Sequence, residues 1–445
     1  MREETMRTLA LGVAALALAG CDKPRPAEAV FAEVPLASPA TTFESADPAL
    51  AVDPSTGDLL LSWVGGDSTG WSLYFARSGD QGQTWSAPAL VTGGAGEVHP
   101  HGESSPRLVA ATGGRVALTW ANSIEVPGRQ WPATEIRLSR SADGGATWSP
   151  PISLNDDTAG TAAGHQFHGA AWSGDSTLVV SWLDERAGAA LAIHHGDHSP
   201  TAADVTDEAD AVIFTATSPD FGKTWGSSNQ LMWSEVCPCC RITLARGPDG
   251  RVVSAWRKHY PGNIRDVVTA PVGAGHSVEP VRVNQDNWVY PGCPHTGPGI
   301  AIDSSGTRHI VWYVGKEGSA GVYYQRVLAE AGSSSEPLPL LQARTLPAAH
   351  TTVAAVSGGR ALAAYDMTET GDRAVAVSLI SANRTVLQKL RISKSEGGQY
   401  PQVIAAGPGR AVVAWIGKEG ERRAVRLVAI NVGTDTQGAN VALKE

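Results

Sequence analysis

Short apolar runs that end in an aromatic residue recur along the whole chain. The closing aromatic residues lie 50 to 74 positions apart: Trp63, Trp120, Trp182, Trp256, Trp312, Tyr365 and Trp415. A second apolar segment and a glycine-containing turn precede each run, and 13 to 15 positions separate the start of that segment from the aromatic residue. Strand, turn and strand at this spacing predict an all-β array, whereas apolar residues at helical spacing are nearly absent.

The repeat unit, which we call a module, predicts one fold. About 50 residues with up to four short strands are typical of a β-propeller blade. The sequence contains seven such modules, so we expect a single propeller of four-stranded blades over residues 30–445, with seven blades favoured and six as the rival count. The last module has three strands, and the segment 30–36 is unpaired. We expect this segment to complete the last blade, because closure removes an exposed edge.

The N-terminus has the pattern of a targeting segment. Arg2 and Arg7 precede an apolar stretch, residues 9–18, that is too short to span a bilayer but suits a signal peptide. The stretch ends in Leu-Ala-Gly-Cys21, which resembles a bacterial lipobox and implies an acylated Cys21. We therefore predict a signal peptide over 1–20, a lipidated tether over 21–29 and an extracytoplasmic, lipid-anchored protein of the cell envelope. The alternative is an ordinary secretory signal.

Composition narrows the classes of partner. The 445 residues include 44 Asp and Glu against 35 Lys and Arg, which gives a net charge of −9, and 42% are hydrophobic. This composition excludes intrinsic disorder and argues against nucleic-acid binding, which needs a basic surface. We expect a monomer whose partners are the membrane, through the anchor, and a glycan or an envelope protein.

Three modules share the motif Ser-x-Asp-x-Gly-x-Thr-Trp. The copies run from Ser78 to Trp85, from Ser141 to Trp148 and from Ser218 to Trp225. This motif is the Asp box of the sialidase (neuraminidase) superfamily, and the chain resembles that family here. The resemblance implies that the boxes lie on hairpins away from the active site. Their aspartates are therefore expected to be structural: Asp80, Asp143 and Asp220.

The same resemblance implies catalytic groups that the sequence matches poorly. Sialidases of this superfamily bind the substrate carboxylate with three arginines and use a tyrosine nucleophile with a glutamate partner and an acidic aspartate. The Arg-Ile-Pro motif that usually carries the first arginine is absent. The remaining candidates for catalysis are Asp47, Glu103, Arg107, Arg241 and Arg265, with Tyr290 and Tyr400 as candidate nucleophiles.

Alignment of the modules gathers unusual residues at one position. In a propeller the first strand of each blade lines the central channel, and the residues before it surround one mouth. Those positions hold Asp47, His99, His101, Glu103, His165, His168, Cys237, Cys239, Cys240, Arg241, Cys293, His295, His350 and Tyr400. We expect them to converge on a functional funnel. The alternative is that loops are simply polar, since His194, His195 and His198 also cluster in a long insertion expected to overhang the mouth.

The cysteines leave several chemistries open. Four thiols in an oxidising compartment favour two disulfides, yet three of them lie in the tetrapeptide Cys237-Pro-Cys239-Cys240. A bridge within that tetrapeptide suits a redox pair better than a structural staple. Thiolates with imidazole suit copper or zinc, and the third alternative is free thiols. The predicted metal ligands are Cys237, Cys239, Cys240, Cys293, His295 and His168, with Cys240 and Cys293 expected to be near neighbours.

Three functions therefore stay open. The first is an atypical superfamily member whose funnel binds a transition metal or performs redox chemistry. The second is a glycoside hydrolase that acts on sialic acid or another acidic sugar. The third is a non-catalytic propeller that binds a glycan or a protein.

Overall fold

The computed structural model describes residues 31–40, 44–127, 132–157, 163–174, 176–186, 211–273, 278–328, 336–369 and 371–433. The signal segment, Cys21, the tether and the histidines of the long insertion lie outside these residues. Within them the chain is all-β apart from one 3-10 turn, Gly102–Ser104, which confirms the predicted fold class. No helix in this part of the chain is long and apolar enough to cross a membrane.

The strands form four-stranded sheets in chain order. The first sheet contains β2 (Glu44–Val52), β3 (Leu59–Asp67), β4 (Gly70–Ser78) and β5 (Ala89–Leu90). The second contains β6 (Arg107–Ala111), β7 (Arg115–Ile124), β8 (Ala133–Ser141) and β9 (Ile152–Ser153). Neighbouring strands within each sheet are antiparallel.

The next eight strands are joined in one larger sheet. They are β10 (His165–Ser173), β11 (Thr177–Asp184), β12 (Ala211–Ser218), β13 (Gln230–Val236), β14 (Thr243–Arg246), β15 (Val252–Tyr260), β16 (Ile264–Pro271) and β17 (Val281–Arg282). A single residue pair, Val236 with Lys258, connects β13 to β15.

Three further sheets complete the described chain. One contains β18 (Gly299–Ile302), β19 (Arg308–Val314), β20 (Ala320–Val327) and β21 (Leu338–Ala343). Another contains β22 (Thr351–Val356), β23 (Arg360–Glu369), β24 (Asp372–Ile380) and β25 (Val386–Arg391). The last contains β26 (Gln399–Ala405), β27 (Arg410–Glu419), β28 (Arg422–Val432) and the N-terminal strand β1 (Phe31–Pro35).

The strand β1 belongs to the last sheet, as the sequence predicts. It pairs antiparallel with β28 from Phe31 opposite Val432 to Pro35 opposite Val428. The following residues extend this contact, because the backbone N–H of Leu36 donates to the carbonyl oxygen of Leu427. Both sides of β28 are therefore hydrogen-bonded, and β28 presents no open edge.

The aromatic residue that closes each apolar run lies on the second strand of its module and is buried. Trp63, Trp120, Trp182, Trp256 and Trp312 are fully buried, Tyr365 is 2% exposed and Trp415 is 4% exposed. A buried aromatic side chain removes ~150–250 Å² from water. At about 25 cal/mol per Å² this corresponds to roughly 4–6 kcal/mol of transfer free energy for each side chain. The repeated aromatic positions thus form the cores of the sheets.

The strand registers show which residues are equivalent between modules. Ala49 pairs with the residue before Trp63, and Gly169 and Gln402 pair with the residues before Trp182 and Trp415. In every module one first-strand residue pairs in this way with the residue before the closing aromatic. We call the residue two positions before that first-strand residue the mouth position. The mouth positions are Asp47, Ser105, Phe167, Arg241, Gly297, His350 and Tyr400.

Three of the mouth positions lie in a β-bulge. The pairing shifts register between Ala46 and Ala49, and at the equivalent places in β10 and β26. The bulged residues Asp47, Phe167 and Tyr400 have φ values of 50°, 56° and 52°, a region that residues other than glycine seldom adopt. A bulge redirects a side chain away from the regular alternation of a strand. Sequence periodicity alone would place these side chains incorrectly.

The three Asp boxes connect the third and fourth strands of their modules by a shared set of hydrogen bonds. In the first box Asp80 accepts hydrogen bonds from the Ser78 hydroxyl at 2.8 Å and the Thr84 backbone at 2.8 Å. Asp143 and Asp220 accept the corresponding bonds. These hydrogen bonds lower the pKa of each carboxyl to about 2. Each aspartate therefore stabilises the turn of its own box, the structural role that the resemblance implies.

Candidate functional site

A buried ion pair joins distant modules at the mouth. Nη1 of Arg241 lies 2.5 Å from Oε2 of Glu103, and the two side chains are 7% and 1% exposed. The other carboxylate oxygen of Glu103 accepts the backbone N–H groups of Arg241 and Gly297, and Arg241 also donates to the carbonyl oxygen of Thr351. These contacts link four modules, and the Glu103–Gly297 contact joins residues 194 positions apart, so Glu103 and Arg241 form a central plug.

Asp47 and Arg107 lie beside this plug. Oδ2 of Asp47 accepts the backbone N–H of His101 at 2.6 Å, whereas Oδ1 is buried without a hydrogen-bond partner in the described chain. Burial raises the pKa of Asp47 to about 6. Burial and the neighbouring Arg241 lower the pKa of Arg107 to about 10. Arg107 donates from Nε to the carbonyl oxygen of His168 at 2.9 Å.

Tyr400 and His350 form a second group at the mouth. Their ring centroids lie 3.9 Å apart, and Nδ1 of His350 lies 2.7 Å from Oδ2 of Asp366. Oδ2 of Asp366 also accepts the backbone N–H of Tyr400 and a hydrogen bond from Arg373. Burial raises the pKa of Asp366, but the charges of His350 and Arg373 outweigh it and leave the pKa below its usual value.

The ring of Tyr400 also reaches the Glu103 side of the mouth. A Cβ atom on Gly102 would overlap the ring of Tyr400, so only glycine fits at that position. Burial and the nearby carboxylates of Glu103 and Asp366 raise the pKa of Tyr400 to about 12. Its phenol is therefore neutral near pH 7 and suited to donate a hydrogen bond.

The channel behind the plug is narrow. A cavity of about 90 Å³ is lined by first-strand residues of several modules, among them Arg107, Gly169, Arg241, Thr243, Gly299 and Thr352. Sites for organic ligands usually enclose about 300–1,000 Å³. The cavity has room for a few water molecules but not for a sugar ring.

Three cysteines lie together at the mouth of the fourth module. The Sγ atoms of Cys237, Cys239 and Cys240 all lie within 4.8 Å of one another, and we call these residues the thiol cluster. The sulfurs of Cys237 and Cys240 are 3.3 Å apart. All three residues are buried, whereas Cys293 is exposed and its thiol interacts with that of Cys239. The direct neighbour of Cys293 is thus Cys239, and Cys240 is also near enough to influence the pKa of Cys293.

The surroundings of the thiol cluster favour negative charge. Hydrogen bonds from Cys239 and Cys240 hold the pKa of the Cys237 thiol well below its usual value, and the charges of Arg257 and Arg265 add to this effect. Arg257 is fully buried, and its guanidinium donates to backbone carbonyl oxygens, including those of Arg265 at 2.8 Å and Tyr313 at 2.9 Å. Burial raises the pKa of Cys240 to about 12. Negative charge is therefore favoured at Cys237 and disfavoured at Cys240.

Two predicted metal ligands lie away from the thiol cluster. The ring of His168 is fully buried, and this burial, together with the neighbouring Arg107, lowers its pKa to about 3. The ring of His168 interacts with Arg107 and with the backbone of Thr119, both in the second module, and not with the cysteines. His295 is exposed and influences His101. Within the described chain, neither histidine belongs to a group of three potential metal ligands.

The remaining catalytic candidates are also separated from the plug. Arg265 lies beside the cysteines, where Nε donates to the carbonyl oxygen of Tyr290 at 3.3 Å. Tyr290 is 38% exposed and stacks on Trp288 with 5.2 Å between the ring centroids. The physical reason is their position in the chain, since Arg265 lies in β16 and Tyr290 lies in the loop after β17. The structure brings Asp47, Glu103, Arg107, Arg241 and Tyr400 together and places Arg265 and Tyr290 elsewhere.

Sequence reasoning missed several buried polar residues near the mouth. Asp366 follows the closing aromatic Tyr365 directly, and Asp184 follows Trp182 by two positions. Both are buried, as is Arg257, which follows Trp256. A charged residue just after a buried aromatic was the available signal, because the end of each second strand lies beside the mouth.

Comparison with known proteins gives a fold but no family. No protein-family model and no curated protein sequence matches the chain. The α-L-arabinofuranosidase of Fusarium graminearum with an iminosugar inhibitor is 12% identical and has a TM-score of 0.50, with 89% of this chain and 96% of that chain covered. The complex of the same GH93 enzyme with arabinobiose also has a TM-score of 0.50, with 12% identity and coverage of 90% and 98%.

A weaker likeness extends to a sialidase. The Trypanosoma rangeli sialidase is 11% identical, with a TM-score of 0.46 over 89% of this chain and 57% of that chain. That score is too low to support a conclusion of its own. The arabinofuranosidase structures suffice for the fold, since they cover nearly the whole of both chains. The chain is an all-β protein with a β-propeller fold like that of these glycoside hydrolases.

Proposed function

We propose that the mouth of the propeller binds a soft transition-metal ion, copper or zinc, at the thiol cluster. The observation that carries this proposal is the approach of three buried sulfurs to within 4.8 Å of one another. Two thiolates at ~2.3 Å from one tetrahedral ion are ~3.8 Å apart, which falls within the range of sulfur separations in the cluster. Soft sulfur ligands select copper(I) and zinc over hard cations.

The neighbouring charges support the same proposal. A metal ion bound by several thiolates leaves excess negative charge, and the guanidinium groups of Arg257 and Arg265 lie where they lower thiol pKa values. Cys293 lies on the exposed side, next to Cys239, and would supply the fourth sulfur. Ion entry would then occur past Cys293 without opening the propeller core.

The competing chemistry is a pair of disulfides. The sulfur contacts suggest Cys237 with Cys240 and Cys239 with Cys293. Such bridges would suit thiol–disulfide exchange, since Cys293 is exposed and its pKa is lowered by Cys239. A sulfur in a disulfide cannot also bind a metal ion as a thiolate. Counting the free thiols and the bound metal in one sample therefore distinguishes the two alternatives.

The decisive experiment combines metal analysis with thiol counting. Protein purified without chelators is expected to carry one copper or zinc ion per chain, and after denaturation Cys237, Cys239, Cys240 and Cys293 should all be alkylated. The double variant Cys237→Ser/Cys240→Ser should lose the ion, whereas Cys21→Ser, which removes a sulfur outside the cluster, should keep it. Two disulfides and no metal in the wild-type protein would refute the proposal.

A glycoside hydrolase is the second candidate function. Asp47, with a pKa of about 6, is suited to act as an acid, and Tyr400 lies near Glu103. Against it, Glu103 and Arg241 are buried in contact with each other, and the channel cavity is small. Hydrolysis of a fluorogenic sialoside or arabinofuranoside that disappears in Tyr400→Phe would establish this function. Glycan binding without hydrolysis would instead indicate the third function, a binding propeller.

We also propose that Cys21 carries a lipid anchor in the cell envelope and that the anchored protein is a monomer. The support is the lipobox resemblance and the position of β1, which begins at Phe31 and so leaves a short tether after Cys21. Stable anchoring requires more than one acyl chain, at about 0.8 kcal/mol per buried CH₂. Cys21→Ser should therefore move the protein from the membrane fraction to the soluble fraction. Retention of this variant on membranes in high salt would contradict the anchor.

Seven blades are the proposed blade count. The larger sheet divides into β10–β13 and β14–β17, each with four strands, at the single residue pair between β13 and β15. With this division, every sequence module corresponds to one four-stranded unit. A crystal structure that shows six or eight units around the axis would overturn the count.

A further inference from the structure

Another group of potential metal ligands lies in the third module, apart from the thiol cluster. Potential ligand atoms of Asp157, His165 and Asp184 all lie within 4.8 Å of one another. The side chains of His165 and Asp184 are 3% and 0% exposed, and that of Asp157 is 10% exposed. Buried carboxylates and imidazole need a compensating partner, because desolvation of charge is costly.

The hydrogen bonds of His165 fix which ring nitrogen is free. Nδ1 lies 2.6 Å from the carbonyl oxygen of Thr134, which can only accept, so Nδ1 carries the hydrogen. The backbone N–H of His165 also donates to the Thr134 hydroxyl at 2.7 Å. A histidine that ligates a metal usually donates its other ring N–H to a carbonyl or carboxylate in this way. In the neutral ring, Nε2 therefore presents a lone pair.

That lone pair points into a space shared with two carboxylates. Nε2 of His165 lies 3.0 Å from Oδ2 of Asp157 and 3.4 Å from Oδ2 of Asp184. With the ring protonated, Nε2 would donate to Asp157; with the ring neutral, the same three atoms face one another and could share an ion. Two ligands at ~2.1 Å from one ion are ~3.0 Å apart at a right angle and ~3.4 Å apart at the tetrahedral angle. The observed separations equal these values.

The charges around the three residues match a dication. Arg186 contacts both Asp184, at 2.8 Å, and Asp156, at 2.6 Å. Asp156, Asp157 and Asp184 carry three negative charges and Arg186 carries one positive charge, so −3 + 1 leaves −2 with His165 neutral. The indole N–H of Trp182 donates to Oδ2 of Asp184 at 2.9 Å and orients it.

From this geometry we propose that Asp157, His165 and Asp184 form a binding site for a divalent first-row metal ion. Two carboxylates and one imidazole suit manganese, iron(II) or zinc, and they do not suit copper(I), which prefers sulfur. The site therefore differs in selectivity from the thiol cluster and does not depend on it.

The alternative occupant of the site is a proton. Burial lowers the pKa of His165, but the carboxylates of Asp157 and Asp184 outweigh burial and raise it. An imidazolium would donate to Asp157 and leave no room for an ion. The two alternatives differ in what they bind, so a metal titration distinguishes them.

Manganese(II) is the appropriate probe, because thiols compete for it weakly. We would dialyse the full-length protein against EDTA, titrate it with MnCl₂ and follow binding by electron paramagnetic resonance. One bound ion per chain with a ¹⁴N coupling from an imidazole is expected. Because the experiment uses the wild-type protein, its outcome does not depend on whether any variant folds. Absence of binding, or a bound ion without nitrogen coupling, would overturn the proposal.

Two neighbouring aspartates supply a variant and its matched control. Asp157→Asn removes a proposed ligand and should weaken manganese binding at least about tenfold. Asp156→Asn removes the same charge one residue away, on a side chain that contacts Arg186 but not His165, and should weaken binding far less. Thermal unfolding of both variants without metal checks that they fold. Equal losses of manganese affinity in the two variants would show that the overall negative charge, and not a ligand at Asp157, determines binding. That result would refute the site.

Discussion

The charged side chains of Glu103 and Arg241 at the mouth are buried as a pair. A substitution of one of them therefore leaves the other charge buried without its partner. Glu103→Gln leaves the guanidinium of Arg241 buried without its anion and should lower the free energy of unfolding by about 3–5 kcal/mol. Chemical denaturation measures this loss. The control is Asp249→Asn, since Asp249 forms an exposed ion pair with Arg251, and it should leave stability unchanged within error. A loss for Glu103→Gln no larger than that of the control would mean that the plug is not buried in solution.

Asp47 provides a pH-dependent prediction at the same scale. Its pKa is about 6 in the folded protein and near 3.8 when unfolded, so between these values the folded state binds more protons. The contribution of Asp47 to the free energy of unfolding is therefore greatest below pH 4. It falls by about 3 kcal/mol in total as the pH rises to 6. Asp47→Asn does not titrate, so its stability relative to wild type should increase by that amount from pH 3.5 to pH 7. Parallel denaturation curves at the two pH values would contradict the raised pKa.

Among the elements, the hairpins that carry Asp boxes fasten each sheet to the preceding one. The ring of Trp148 in the second box packs edge-on against Phe75 of the first sheet, with 5.2 Å between ring centroids. Gly145 of the same box has a φ of 90°, and a Cβ atom there would overlap the ring of Phe75. The contact between sheets thus depends on the absence of a side chain at one turn.

Gly145→Ala tests that contact. Gly113→Ala is the matched control, because Gly113 has a φ of 78° but no atom within 4 Å of its Cβ position. Both variants bear the cost of a side chain at positive φ, about 1–2 kcal/mol. Gly145→Ala should cost about 1–3 kcal/mol more, from overpacking against Phe75. Urea denaturation compares them, and equal losses would indicate that the box hairpin does not press on the first sheet.

The strands could be predicted from the sequence because the signal repeats. Seven buried aromatic residues on second strands and three copies of one hairpin motif each report the same local structure, so register errors in one module are corrected by the others. The mouth could be predicted only in part. Glu103 and Arg241 do meet there, but the bulges at Asp47, Phe167 and Tyr400 depend on backbone geometry that periodicity does not encode.

For the molecule as a whole, the pairing of β1 with β28 protects the final sheet. Residues after β1 also support the first Asp box, since Nε1 of Trp85 donates to the carbonyl oxygen of Ala37 at 2.9 Å. Deletion of residues 22–36 should therefore lower the thermal midpoint by several degrees and expose β28, with dimers or aggregates as the result. Deletion of 22–30 keeps β1 and is the control. Monomers of unchanged stability in both would show that β1 is dispensable.

The same pairing dictates the order in which the protein can be completed. Phe31 and Val432 are partners, although 401 residues separate them in sequence. Contacts so distant along the chain form late, because the intervening loop must first be ordered by its own local contacts. The first strand to leave the ribosome must therefore wait for the last one. Until β28 has been made, β1 has no strand to pair with, so the final sheet can be completed only after the last module has been synthesised.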